Sequence, residues 1–146
     1  MARTRTSLPR THYRTTTEST KLPFVRKQEH ANNSRSTCYW AVDSVDDYGD
    51  ACDLGMEYAA HYLQYLQDNS SAPLGTPLNW IVRDIDFNNP KQRGIWIGFF
   101  SFIQKILTDR ARTMNVYATL DAINSRHDAI CAEIDEYDRL AELEED

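Results

Sequence analysis

The sequence is poor in the motifs from which many enzyme sites are built. Its five glycines form no glycine-rich phosphate loop, and no G-x-S-x-G or H-E-x-x-H motif is present. The three cysteines, Cys38, Cys52 and Cys131, are widely spaced without a C-x-x-C pair, the pattern of free buried thiols in a reducing compartment. We therefore predict a protein that is not an enzyme, with no catalytic residue, cofactor or metal.

Two pairs of side chains have the spacing of metal ligands on one helix face. Glu57 and His61 stand four residues apart, as do His127 and Cys131, and either pair is able to chelate zinc. No cysteine-pair signature supports a zinc site. A histidine on an apolar helix face is more often a hydrogen-bonded or register-setting residue, so we predict no metal here.

Long hydrophobic runs are also missing. The best run, residues 95–103, includes Gly98 and Ser101 and falls well short of the roughly 20 apolar residues that span a membrane. The N-terminus lacks the apolar segment of a secretory signal. We therefore predict a cytoplasmic protein that makes no membrane contact.

Charge is divided between two parts of the chain. Residues 1–36 carry eight basic and two acidic side chains, a net of +6, whereas residues 37–146 carry eight basic and twenty acidic ones, a net of −12. Residues 1–36 are rich in Ser and Thr and contain only two short apolar clusters, 8–9 and 22–25. Such a segment buries too little apolar surface to offset its chain entropy. The sequence predicts a disordered or extended basic arm over 1–36 and an acidic helical domain over 37–146.

The acidic domain has the hydrophobic spacing of helices. Apolar or small residues recur at steps of three and four, which predicts an all-α bundle of about four helices. Ser36 or Thr37 is the predicted cap of the first helix, and its small-residue stripe predicts close approach of another helix. A strand over 94–100 is the alternative to helix there, because Ile, Trp and Phe favour strands. The predicted helices cover residues 37–67, 77–87, 92–113 and 115–143.

The last predicted helix has the most regular pattern. Eight residues follow alternating steps of four and three, and no Gly or Pro occurs after Gly98. This heptad stripe, which we call the seam, predicts a coiled-coil contact. It packs either within a bundle or against a second copy, and we predict a homodimer. The seam consists of Val116, Leu120, Ile123, His127, Ile130, Ile134 and Tyr137, and continues to Ala141.

Acidic residues also recur at helical spacing. Like charges one turn apart destabilise a helix by a few tenths of a kcal/mol per pair, so a chain that keeps them has a use for the charge or simply needs a soluble face. Regular rows of carboxylates are able to imitate the phosphates of a nucleic acid. The predicted partner surface consists of Asp43, Asp46, Asp47, Asp50, Asp53 and Glu57 on the first helix and Asp128, Asp135, Asp138 and Glu142 on the last.

The basic arm offers a second, oppositely charged contact surface. Arginine and lysine interleaved with hydroxyl side chains and Tyr13 suit phosphate contact and base stacking. The acidic domain would repel the same polyanion, so docking of the arm on that domain stays open beside nucleic-acid binding. The predicted contacts are Arg3, Arg5, Arg10, Arg14, Arg26 and Lys27.

These patterns predict a small regulatory or inhibitor protein that binds another protein through acidic helical faces. Nucleic-acid mimicry, as used by phages and other mobile elements against host proteins, is one form of this activity. The alternative is a nucleic-acid-binding module that uses the basic arm while the helical body dimerises. The two differ in which charged segment meets the partner.

Overall fold

The computed structural model describes residues 13–32, 35–71, 75 and 77–144, and these are mostly helical. The predicted all-α class with four helices is confirmed for the described residues, which add only one small sheet. The two strands are antiparallel, with Arg26 opposite Cys38 and Glu29 opposite Arg35. The elements are a 3-10 turn at Ser19–Lys21, β1 at Arg26–Glu29, β2 at Arg35–Cys38, α1 at Tyr48–Asp68, α2 at Pro77–Asp84, α3 at Arg93–Ala111 and α4 at Val116–Glu144.

The chain divides into two compact units, Met1–Lys105 and Ile106–Asp146. The division therefore falls after residue 105, whereas the sequence placed a boundary after residue 36. No helix in the described part of the chain has both the length and the apolar character needed to cross a membrane.

The first helix begins later than predicted, at Tyr48 instead of residue 37. Its cap is Asp47, whose carboxylate accepts a hydrogen bond from the Asp50 N–H at 2.9 Å, the usual role of an N-cap aspartate. The predicted caps Ser36 and Thr37 lie in β2 instead. Between β2 and α1 the chain is not helical.

The segment from 22 to 25 belongs to the core, which corrects the expectation that residues 1–36 form an arm without one. Leu22, Phe24 and Val25 are buried, and the Phe24 ring lies 5.7 Å from Phe99 and 5.9 Å from Trp40, centroid to centroid. The Ala41 N–H donates to the Phe24 carbonyl at 2.7 Å. Burial of a phenylalanine contributes roughly 1.5–3 kcal/mol, and buried Leu22 and Val25 add to this gain, which opposes the entropy cost of ordering the segment. Residues 1–12 lie outside the described part.

Helices α1 and α3 touch through their backbones. A Cβ added to Gly98 would overlap the Cys52 carbonyl and lie 2.7 Å from its carbon atom, and one added to Gly55 would lie 2.8 Å from the Phe99 nitrogen. The predicted close approach at the small-residue stripe is therefore present. It brings the fully buried Phe99 against a cluster of aromatic rings.

The remaining helix bounds are close to the predicted ones. Residues 94–100 lie within α3, so the strand alternative is wrong for this segment. Helix α2 begins at Pro77 as predicted but ends at Asp84, three residues before residue 87. Asn115 precedes α4 and accepts a hydrogen bond from the Ala118 N–H at 3.0 Å.

Asp84 joins α2 to the chain that follows β2. Its carboxylate accepts the Tyr39 N–H at 2.8 Å and pairs with Arg83 at 2.9 Å. The Arg83 guanidinium, helped by the Tyr39 N–H, lowers the pKa of Asp84 below its usual value. Because the folded pKa is lowered, this stabilisation is present above the unfolded pKa, near 3.8, and is lost as pH falls through the folded pKa.

We expect Asp84→Ala to lower the free energy of unfolding at pH 7 by about 1–3 kcal/mol, since a charge-assisted hydrogen bond to a backbone N–H is lost. Urea denaturation at pH 7 and pH 3 measures the effect, and the gap to the wild type should narrow at pH 3. Asp46→Ala, at an exposed carboxylate, is the matched control and should change little. An equal gap at both pH values would contradict the charge argument.

Candidate functional site

Helix α4 exposes its apolar seam. The aliphatic seam residues retain about half of their accessible surface, from 48% for Leu120 to 55% for Ile123. The helix runs 29 residues, about 43 Å at 1.5 Å per residue. An amphipathic helix gains most of its stability from packing of its apolar face, so an exposed seam of this length is a candidate contact surface.

The middle of the seam forms a shallow groove of about 390 Å³. His127 lies in it, with its Nδ1 3.4 Å from the Cys131 sulfur. Arg126 and Cys131 border the apolar residues on opposite sides. The predicted seam residues therefore share one face of one helix, and the groove is lined by Ile123, Arg126, His127, Ile130, Cys131 and Ile134.

The carboxylates of α4 lie beside the seam, and none of them occupies a seam position. Four of them stand seven residues apart, just after a seam position in each repeat, and we call this set the acidic row. The whole helix carries eight acidic and two basic residues, a net of −6. All these carboxylates through Glu142 are exposed, including the predicted partner residue Asp138. The acidic row consists of Asp121, Asp128, Asp135 and Glu142.

The predicted acidic surface on the first helix is broken up. Asp43 and Asp46 precede α1, and Asp47 caps it, so these three do not lie on the helix surface as predicted. Asp43 also pairs with Arg26 at 3.3 Å. The sequence spacing predicted too long a helix. The apolar steps of three and four also occur in the residues before Tyr48, and these residues are not helical.

Only three of the predicted first-helix carboxylates lie on α1, and all three are half-buried: Asp50, Asp53 and Glu57. Glu57 lies 3.5 Å from the Nε2 atom of the buried His61. A half-buried carboxylate with a neighbour inside the protein is less accessible to a partner than those of the acidic row. Among the predicted acidic residues that lie on helices, those of α4 are therefore more exposed than those of α1.

A cleft of about 700 Å³ lies at the N-terminal segment. Arg14 and Lys21 contribute positive charge to it, and His61 lines it with only 6% exposure. The segment is tied to α1 by Asn69, whose side-chain nitrogen donates to the Thr16 and Tyr65 carbonyls at 2.8 Å each. The cleft is lined by Tyr13, Arg14, Thr15, Thr16, Lys21, Leu22, Pro23 and His61.

Sequence reasoning missed the part that His61 plays in this cleft. The sequence offers His61 only as a possible metal ligand beside Glu57, yet its ring lies 5.7 Å from the Tyr13 ring, between centroids. Burial, together with the Asp68 carboxylate, raises the pKa of the Tyr13 hydroxyl. Only a contact between segments distant in sequence brings these residues together.

The predicted basic contacts separate into three groups. Arg3, Arg5 and Arg10 lie outside the described residues. Arg14 lines the cleft, and Lys27 is exposed on β1. Arg26 contacts Asp43 of the same chain, which is an instance of the docking between basic and acidic segments that the sequence left open.

Within the described residues no group of three or more His, Cys, Asp or Glu side chains is arranged to hold a metal ion. Comparison with protein-family models found no match, and neither did comparison with curated proteins or with solved structures.

Proposed function

We propose that the protein is a small, non-enzymatic regulator that binds a basic surface of another protein through the acidic row of α4. The seam of the same helix pairs with a second copy of the chain. The observation that carries this proposal is that α4 exposes two chemically distinct surfaces along its length, one apolar and one acidic. One helix is thereby able to dimerise and still present its charge.

The charge distribution supports a basic partner. The acidic residues of α4 crowd toward its C-terminal end, where negative charge opposes the helix macrodipole. Neighbouring carboxylates on one face add repulsion. Complementary charge on a partner relieves this repulsion and speeds association. A protein whose own surface binds nucleic acid has the required positive field, so mimicry of a nucleic acid is the form of inhibition that we propose.

We expect neutralisation of the acidic row to weaken partner binding on the order of 100-fold at low salt, because four charges that steer and hold the partner are lost. The variant carries Asp121→Asn, Asp128→Asn, Asp135→Asn and Glu142→Gln. The partner is first captured from native host lysate with the wild-type chain and identified by mass spectrometry. Affinity of the purified pair is then measured by calorimetry.

A control variant changes the net charge equally at four exposed carboxylates outside α4: Glu18→Gln, Asp46→Asn, Asp86→Asn and Asp109→Asn. It should bind within a few-fold of the wild type. Equal weakening by both variants would show that only overall charge matters. The rival function is nucleic-acid binding through the cleft. It would replace ours if short DNA or RNA bound at low salt and Arg14→Ala with Lys21→Ala abolished that binding.

A further inference from the structure

We infer that α4 pairs with a second copy in antiparallel orientation, in the register that sets Arg126 against the partner's Glu133. This rests on the self-association in the proposed function and adds its geometry. The charged residues that flank the exposed seam support this orientation.

Arg126 and Glu133 occupy equivalent positions of successive heptads. Arg126 directly precedes His127 and Glu133 directly precedes Ile134, so both lie on the same side of the seam. In coiled coils, residues at this position flank the apolar contact and set partner orientation. In an antiparallel pair they face each other, so Arg126 meets the partner's Glu133 and the pair forms twice by symmetry.

A parallel pair has no such complementarity. In a parallel pair, the position held by Arg126 and Glu133 faces the partner residue five positions further along, which directly follows a seam residue. Arg126 would face the partner's Cys131, and Glu133 would face the partner's Asp138, which sets like charges together. Parallel pairing would also place the two His127 rings in one layer, where they face each other and not an aliphatic side chain.

The antiparallel register also matches the apolar residues. It opposes Ile123 to the partner's Ile134 and His127 to the partner's Ile130. Each His127 therefore packs against an aliphatic side chain and keeps its contact with Cys131, at 3.4 Å in this structure. The central four layers thus contain six aliphatic side chains and two histidines, one in each of the two middle layers.

The gradient of charge along α4 favours the same orientation. Residues 116–132 carry two acidic side chains and one basic, a net of −1, whereas residues 133–144 carry six acidic and one basic, a net of −5. Parallel pairing would bring the two strongly acidic halves together. Antiparallel pairing sets each acidic half beside the partner's nearly neutral half, and beside the positive end of the partner's helix dipole.

Disulfide trapping tests the orientation in the full chain. One variant carries Ile123→Cys and another Ile134→Cys, both with Cys131→Ser. In the antiparallel register two copies of the first variant hold their new cysteines about 16 Å apart along the helix axis, too far to bridge. We expect a disulfide between residues 123 and 134 when the variants are mixed under mild oxidation, and no disulfide between identical positions in either variant alone. Peptide mass spectrometry identifies the linked residues.

Charge reversal gives an independent readout without cysteine chemistry. Glu133→Arg should weaken self-association about 3- to 10-fold, because each new arginine faces the partner's Arg126. Adding Arg126→Glu should restore it. In a parallel pair Glu133→Arg would face the partner's Asp138 and strengthen association instead. Glu133→Gln is the milder control and should have a smaller effect than reversal.

The outcomes separate the orientation from the self-association on which it depends. Links between identical positions, or stronger association of Glu133→Arg, would overturn the antiparallel register while leaving a dimer. A dimer in light scattering that forms no link between residues 123 and 134 in the mixture would also overturn it. A chain that stays monomeric at millimolar concentration would instead refute the self-association itself.

Discussion

Gly98→Ala is expected to destabilise the folded chain strongly at the contact between α1 and α3. The added methyl group would overlap the Cys52 carbonyl, which belongs to the backbone of α1 and has no rotamer by which to move away. The two helices must therefore separate, which loosens the packing around the buried Phe99. We expect a loss of about 3–5 kcal/mol in the free energy of unfolding, a large fraction of the 5–15 kcal/mol of an ordinary domain.

Urea denaturation followed by circular dichroism and by tryptophan fluorescence measures this loss. Gly55→Ala tests the same contact from the other helix, since its methyl group would overlap the Ile95 carbonyl. Gly49→Ala, in the first turn of α1, is the matched control. Alanine has higher helix propensity than glycine by about 1 kcal/mol, so that variant should be unchanged or more stable. Wild-type stability of Gly98→Ala would show that α1 and α3 do not touch as described.

The sequence predicted this helix contact but not where the first helix starts. The small-residue stripe of the first helix, which includes Gly55, permits close packing of another helix. The start was wrong because Ala41 and Val45 continue the helical spacing by coincidence. Trp40 and Val42 are both buried, which reflects the alternation of an extended chain. Where helical spacing and the alternation of an extended chain occur in the same residues, the periodicity of apolar residues alone does not distinguish helix from extended chain.

The core position of Phe24 shows a different limit of sequence reasoning. It belongs to a short apolar cluster, 22–25, that lies between polar and charged residues, so local composition favours disorder. Its burial depends on contacts with Trp40 and Phe99, which lie 16 and 75 residues further along the chain. Such contacts leave no local pattern. The same holds for the cleft, where Tyr13 contacts His61, which lies 48 residues further along the chain.

The α4 surface was the most predictable part of the candidate site. A heptad pattern is a local property, so the seam and the acidic row follow from spacing alone. Spacing did not decide between a partner within the chain and a second copy. The seam side chains are exposed, and we propose that a second copy covers them.

Ile130→Asp is expected to abolish self-association at micromolar concentration. In the proposed register Ile130 lies next to the centre of the pair and packs on the partner's His127. Symmetry makes one substitution affect two layers. Each layer loses an aliphatic contact and gains a carboxylate that must be desolvated, which together cost at least about 2 kcal/mol. Two layers therefore raise the dissociation constant on the order of 1000-fold.

Light scattering across protein concentrations measures that constant, and far-ultraviolet circular dichroism measures the accompanying change in helix. Ser125→Asp adds the same charge to an exposed residue of α4 away from the seam and should leave the dimer intact. Equal weakening by Ser125→Asp would attribute the effect to charge repulsion along α4 and not to the seam.

Circular dichroism provides a further test, because an effect of charge or solubility alone would not change the helix content. Helix α4 holds 29 of the 77 residues in the four α-helices. An isolated helix is only marginally stable in water, and packing of its apolar face supplies most of what holds it. If the seam stabilises α4, Ile130→Asp must lose helical signal together with the dimer, and diluted wild-type protein must lose the same signal at the concentration where it dissociates. Dissociation without that loss would mean that α4 is stable by itself and that its seam serves association alone.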